Sequence, residues 1–268
     1  MAVILEASGL NKSFGAVVAA SNITAAFEQD AVVGLIGTNG AGKTTFVNMV
    51  TGYLEPDSGT ITFQGRDITR LEPRDITRLG ICRSFQIPQL YNSQTVLENL
   101  LVGFGIVLRN AGLGGFFAPA NPVVPGHDLP ALEAADRLLE RFGLTTYRDK
   151  TAQVLPGGIR KLLDICMAMV VKPKVLLLDE PTSGVAAEEK FGIMDLIMQA
   201  VRAEGATVLF VEHDMEVVSR YSQRVLAFYD GRIICDAPPE IALNDEEVRK
   251  YVVGRQHGAA TAKAGAHA

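Results

Sequence analysis

The sequence predicts an α/β fold, and three features carry that expectation. Short apolar runs at Val32–Ile36, Val175–Leu178 and Thr207–Val211 read as buried strands. Segments with apolar residues at helical spacing lie between them. The first run leads straight into Gly37-Thr38-Asn39-Gly40-Ala41-Gly42-Lys43-Thr44, which fits G-x-x-x-x-G-K-[ST] without a mismatch. A strand entering a glycine turn that opens a helix is the context this pattern requires.

Composition narrows the class. At 268 residues the chain fits one large α/β domain with an appended lobe. A hydrophobic content of 48% is ample for a core, and a net charge of −5 argues against a nucleic-acid partner. Cys82, Cys166 and Cys235 lack C-x-x-C spacing, so neither a zinc site nor a disulfide framework is indicated, and a reduced cytoplasmic setting is expected. No signal peptide opens the chain. The longest apolar stretch, Leu100 to Leu108, is far short of the ~20 residues of a membrane span.

In chain order, residues 2–36 carry β-type runs broken by turn residues. Thr45–Val50 continues a helix out of the glycine turn; the turn formers Glu55–Gly59 then precede a strand at Thr60–Phe63. Residues 112–130 are punctuated by Gly and Pro and read as an irregular insertion. Leu132, Ala135, Leu138, Leu139 and Phe142 recur at helical spacing, with Gly143 as the stop. A helix from about Gly158 to Val170 should turn Leu162, Leu163, Cys166 and Met169 inward. Another is expected from about Ala187 to Ala203, ending at Gly205. Tyr229-Asp230-Gly231-Arg232 signals a hairpin, and Asp245–Val253 a last short helix. From His257 onward the composition reads as a disordered tail, 257–268.

The pattern at 37–44 states its chemistry. Its glycines let backbone N–H groups converge on phosphate oxygens at a helix N-terminus, so it is expected to bind a nucleoside triphosphate with Mg²⁺. Lys43 would reach the β- and γ-phosphates, Thr44 would ligate Mg²⁺, and Thr45 would donate to the α-phosphate. Asp179 and Glu180 end an apolar strand, where Asp179 would orient Mg²⁺ through its water and Glu180 would polarise the attacking water. His213, after the next strand, is placed to bridge the γ-phosphate and that water.

Together these residues resemble the ATP-binding-cassette (ABC) ATPases, from about Leu5 to Gly254. Ser84-Phe85-Gln86 is similar to the family's Q-loop, which implies that Gln86 touches Mg²⁺ and senses a transport subunit. Leu155-Pro156-Gly157-Gly158-Ile159 is similar to its Leu-Ser-Gly-Gly-Gln signature, which closes on ATP held by the opposite subunit. Asp179-Glu180-Pro181-Thr182 and Glu212-His213-Asp214 stand where the Walker B and switch-histidine segments belong. Phe14 is placed like the aromatic residue that stacks on adenine. The resemblance implies a single ABC ATPase domain over 1–256. Within it are expected a RecA-like P-loop core, an N-terminal antiparallel β-lobe and a helical signature subdomain at about 87–170.

A finer resemblance is to the ATPases of branched-chain and other hydrophobic amino acid importers. It rests on Asn11–Gly15, Thr95–Leu100, the Gly/Pro insertion, Val211–Glu216 and Glu246–Gly254. It implies a second ATPase of a different chain, two membrane permeases and, indirectly, a periplasmic binding protein, with this chain on the cytoplasmic face of the inner membrane. Two departures stand out. The signature serine is Pro156, which has neither hydroxyl nor N–H but suits a helix's first turn, and the glutamine is Ile159. Ala186 stands where the segment after Walker B often carries an acid or amide. The competing readings are the same ATPase role for urea, an aromatic acid or a lipid, and a soluble ABC ATPase outside transport. The latter would carry a long coiled coil that residues 87–155 lack, or paired cassettes with basic surfaces.

Overall fold

The computed structural model describes residues 2–84, 89–113 and 122–254. The chain opens with β1 (Val3–Phe14), β2 (Val17–Glu28) and β3 (Val32–Gly37), then α1 (Lys43–Val50), β4 (Ser58–Phe63), β5 (Arg66–Asp67) and α2 (Pro73–Leu79). It continues through β6 (Ile81–Ser84), α3 (Val96–Asn110), β7 (Val123–Val124), β8 (Leu129–Pro130), α4 (Ala131–Arg141) and α5 (Gly157–Ala168). Then come β9 (Val175–Asp179), α6 (Lys190–Ala203), β10 (Thr207–Val211), α7 (Met215–Tyr221), β11 (Arg224–Tyr229) and β12 (Arg232–Ala237). These elements fall into two compact units, one of residues 1–79 with the chain from Thr207 onward, the other Gly80–Ala206.

The first unit is built on two sheets. An antiparallel sheet runs β2-β1-β4-β5, with Leu5, Leu10, Ile23 and Phe27 buried from its strands. The register of β1 against β2 shifts at several points, which bends a pair of 12-residue strands that would otherwise run straight. Beside it β3 lies parallel to β10, with Val208 opposite Val32, and parallel to β11, with Phe228 opposite Gly37. Both faces of β3 are buried, as its unbroken apolar run requires. β11 and β12 form the expected hairpin, and Asp230 and Gly231, both at positive φ, supply the turn. The last helix divides into a turn at Glu246–Val248, capped by the Asp245 carboxylate, and a π-helical turn at Arg249–Val253.

The second unit pairs β6 with β9 in parallel and packs α3, α4, α5 and α6. The expected inward residues Leu162, Leu163 and Cys166 of α5 are buried, as is Met169 in the 3-10 turn Met169–Val171 that follows where the helix was expected to continue to Val170. Burial pushes the Cys82 thiol up to about 12 and the Cys166 thiol higher still, so both are inert apolar fillers. In α4, Ala135, Leu138 and Leu139 face the core, with Phe142 buried just past its end, while Leu132 stands exposed in the first turn. Gly143 takes positive φ just beyond the helix, the stop its sequence signals. The helix expected from Ala187 begins at Lys190, because the chain spends 180–189 in successive turns. Within the irregular insertion β7 and β8 form a small hairpin, and residues 114–121 lie outside the described chain, as does the tail expected at 257–268.

The apolar stretch Leu100–Leu108 belongs to α3, within the helical subdomain expected at about 87–170. Its N-terminus is a full capping box: the Thr95 hydroxyl accepts from the Glu98 N–H, and the Glu98 carboxylate accepts from the Thr95 N–H. Fully buried Asn99 fastens the preceding loop. Its Oδ1 accepts the Tyr91 N–H at 2.9 Å, and its Nδ2 donates to the Thr95 carbonyl at 2.8 Å and the Tyr91 carbonyl at 3.2 Å. Asn99→Leu keeps the volume and strands those backbone groups, so urea unfolding should show a loss of about 1–3 kcal/mol.

Candidate functional site

In the first unit the residues of the phosphate-binding pattern adopt the loop their spacing predicts. β3 ends at Gly37, and α1 opens at Lys43 after Gly42 at φ 105. A Cβ on Gly42 would lie 2.8 Å from the Ala19 carbonyl oxygen, and one on Gly37 2.6 Å from that of Phe228. Both positions therefore exclude any side chain. Ala41 N–H donates to the Thr38 carbonyl, which closes the turn over Asn39 and Gly40. No side chain caps α1 and no acid lies in its first turn, so the helix's positive end faces the loop uncompensated.

Lys43 is only 5% exposed, and its ammonium donates to the carbonyls of Gly37 at 2.6 Å and Thr38 at 3.1 Å. Its charge is thus held against the backbone of the loop itself. The loop is braced from outside by the β11–β12 hairpin, because Gly231 N–H donates to Ala41 and the Gly231 carbonyl accepts from Ser21 N–H. Sequence reading identified that hairpin but not its use as a brace.

His213 follows β10. Since β10 is parallel to β3, the histidine sits at the same strand edge as the loop that begins at Gly37. It is half-buried, and its main-chain N–H donates to the Glu212 carboxylate at 3.1 Å. Asp214 caps α7 through its carboxylate, fixing the chain just past the histidine. Phe14 ends β1 with its ring 53% exposed and the Lys12 ammonium 5.8 Å from its centroid. A solvent-facing aromatic ring there is available for stacking.

The second unit carries Asp179 and Glu180 at the C-terminal end of β9. Glu180 has φ 48, a left-handed conformation that costs a side-chain-bearing residue about 1–2 kcal/mol. Its carbonyl accepts the Ser183 N–H, so the chain reverses directly behind the carboxylate. The Asp179 carboxylate pairs with Arg83 of β6 at 2.6 Å, and the Asp179 main-chain carbonyl accepts from the buried Lys161 ammonium at 2.9 Å. Neither cation was singled out from sequence. The signal was there in each case: a charge inside the strand Ile81–Ser84, and a lysine three residues past Gly158 on the buried face of α5.

The signature segment starts α5, with Pro156 as its N-cap and not in the first turn that sequence alone assigned it. The Pro156 carbonyl accepts the Arg160 N–H, so the residue begins the helix without contributing a donor. Gly157 and Gly158 bring the start of the helix close to neighbouring groups of this chain. A Cβ at Gly158 would meet Ile193 at 2.5 Å, and one at Gly157 would meet the Gly184 carbonyl at 3.1 Å. Gln86 lies outside the described residues. Among the described residues no side chain cluster offers three or more His, Cys, Asp or Glu groups for a metal. The Thr44 hydroxyl and Asp179 carboxylate are hard oxygen donors of the kind Mg²⁺ accepts beside phosphate.

A glycine-lined helix start with a buried lysine, an acidic strand end and a histidine after the neighbouring strand define a P-loop nucleotide-binding protein. The chain belongs to the ABC transporter ATP-binding family, whose family model matches residues 20–183. It is 34% identical to the probable branched-chain amino acid transport ATP-binding protein LivG of Archaeoglobus fulgidus, across 94% of this chain and 96% of that protein. It is 35% identical to the high-affinity branched-chain amino acid transport ATP-binding protein BraF of Pseudomonas aeruginosa, across 94% of this chain and 98% of that protein. Among solved structures, the ADP conformation of MJ1267, an ATP-binding cassette of an ABC transporter, superposes with a TM-score of 0.80 at 31% identity. The match spans 93% of this chain and 98% of that one.

The left-handed backbone at Glu180 has a measurable consequence. Glu180→Gly and Glu180→Ala both remove the carboxylate, but only glycine accepts positive φ without penalty. Denaturant unfolding should therefore find the glycine variant more stable than the alanine variant by about 1 kcal/mol. The reverse order would show that the conformation carries no strain.

Proposed function

We propose that this chain hydrolyses MgATP as the ATPase subunit of an importer for branched-chain or other hydrophobic amino acids. The observation that supports the cargo class most directly is similarity over nearly the full length of both chains to relatives named for branched-chain amino acid transport. In this reading residues 1–256 act as one ABC ATPase domain, with a helical subdomain at about 87–170 and a tail at 257–268 that takes no part.

Phe14 stacks on adenine, the N–H groups of Gly37–Gly42 with Thr44 and Thr45 wrap the phosphates, and Lys43 exchanges its backbone carbonyls for β- and γ-phosphate oxygens. The exchange suits an ammonium already desolvated, since charge-assisted bonds are the stronger ones. Thr44, Gln86 and Asp179 hold Mg²⁺, which when bound neutralises charge across the phosphates. Glu180 takes the proton of the attacking water, and His213 positions that water against the γ-phosphate. Pro156, Gly157 and Gly158 face the ATP of a second ATPase subunit, where Pro156 offers no hydroxyl.

Two permease subunits, fed by a periplasmic binding protein, would complete the transporter, with this chain on the cytoplasmic face of the membrane. No helix among the described residues is long and apolar enough to cross one.

Lys43→Ala should lose MgATP binding by at least ~2 kcal/mol, read by equilibrium titration of the purified chain. Binding as tight as wild type would remove Lys43 from the site. Glu180→Gln should still bind ATP while turnover in the reconstituted transporter falls about 10²–10⁴-fold. Uptake assays with leucine, urea, an aromatic acid and a lipid then test the cargo. Uptake of one of the last three alone would replace the amino acid reading and leave the ATPase role standing.

A further inference from the structure

Two buried cations meet Asp179, one at its carboxylate and one at its main-chain carbonyl. Arg83 Nη2 lies 2.6 Å from Asp179 Oδ2, and the two side chains are only 9% and 11% exposed. The pairing follows from strand register: β6 runs parallel to β9 with Arg83 opposite Leu177 and Ser84 opposite Leu178. Lys161, 2% exposed, adds a second buried cation at the Asp179 main-chain carbonyl. The strand itself supplies only Val175, Leu176, Leu177 and Leu178 before the acid. A buried carboxylate in such a setting is retained only with a charge partner. A guanidinium does not lose its proton in a protein, so this partner is permanent.

We propose that Arg83 is the built-in countercation of Asp179. It holds that carboxylate aimed when no metal is present, and it weakens the carboxylate's hold on Mg²⁺ when the metal arrives. The guanidinium already engages the carboxylate through Oδ2, so a metal would have to share that carboxylate with it. Arg83 is thus a positioning residue that sets how much Mg²⁺ the site requires and how readily the metal leaves after turnover. The inference rests on the reading of Asp179 as the residue that orients Mg²⁺.

The test uses the full chain with ATP and titrated Mg²⁺, in wild type, Arg83→Met, Asp179→Asn and the double variant. Two quantities are read: melting temperature without nucleotide in a chelator, and the free Mg²⁺ that half-saturates the metal-dependent gain in ATP binding. Arg83→Met should lower the melting temperature and lower the half-saturating Mg²⁺ by about tenfold, because the Asp179 carboxylate is then no longer shared with a guanidinium. In the Asp179→Asn background the same change should leave the Mg²⁺ requirement within about twofold, since the coupled partner is absent. Arg83→Lys keeps the charge and should keep a requirement near wild type; Arg83→Gln replaces Arg83→Met if that variant does not fold. An unchanged or raised requirement in the uncharged variant overturns the inference while Asp179→Asn still shifts it. If Asp179→Asn shifts nothing, the metal role of Asp179 fails and the inference falls with it.

Discussion

The seating of α1 beneath its loop is the constraint on which the first unit depends. A loop that presents N–H groups to an anion cannot let a side chain take them first, and Gly42 accordingly occupies the N-cap without a capping oxygen. Forgoing a Ser, Thr, Asp or Asn cap gives up about 1 kcal/mol. The helix also contributes only eight residues, too few to be stable by itself. What holds it is aromatic packing. Phe46 of α1 lies 6.1 Å from the ring of Phe27 in β2 and 5.7 Å from that of Phe228 in β11, and all three are fully buried. One ring therefore ties the helix to both sheets of the unit, and the loop above can remain open to a ligand.

Much of this was legible because single residues carried it. The glycines at 37, 40 and 42, the lysine behind them and the strand ahead admit few other arrangements, and the wholly apolar runs of β9 and β10 announce burial on both faces. The Asp-Gly turn between β11 and β12 announced itself in the same way. Other features were not local. Arg83 and Lys161 look like ordinary charges until β6 is laid beside β9 and α5 against that strand's end. Gly158, expected to face a partner subunit, also lies close to the end of the Ile193 side chain in its own chain. The start of α6 was misplaced by three residues because Ala187, Glu188 and Glu189 favour a helix, while turns fixed from Glu180 onward delay it.

The second unit solves a different problem, that of fixing irregular backbone without secondary structure. Its buried polar side chains bond main-chain groups. Asn99 holds Tyr91 and Thr95, Asp164 accepts the Gln89 N–H at 3.0 Å, and Lys161 donates to the carbonyl of Asp179. Asp164 and Lys161 both belong to α5, so one helix fastens the segment that follows β6 and the end of β9. The two are three residues apart and share a face of that helix. Residues 89–95 therefore cannot shift without breaking bonds to α3 or α5, and α5 cannot rotate about its axis without releasing the backbone of Asp179. Bonds of this kind are individually modest, about 0.5–1.5 kcal/mol, but leaving a buried donor or acceptor unmade costs more than the bond returns. The same helix α5 therefore ties the backbone at Gln89 and the end of β9 into one hydrogen-bonded frame.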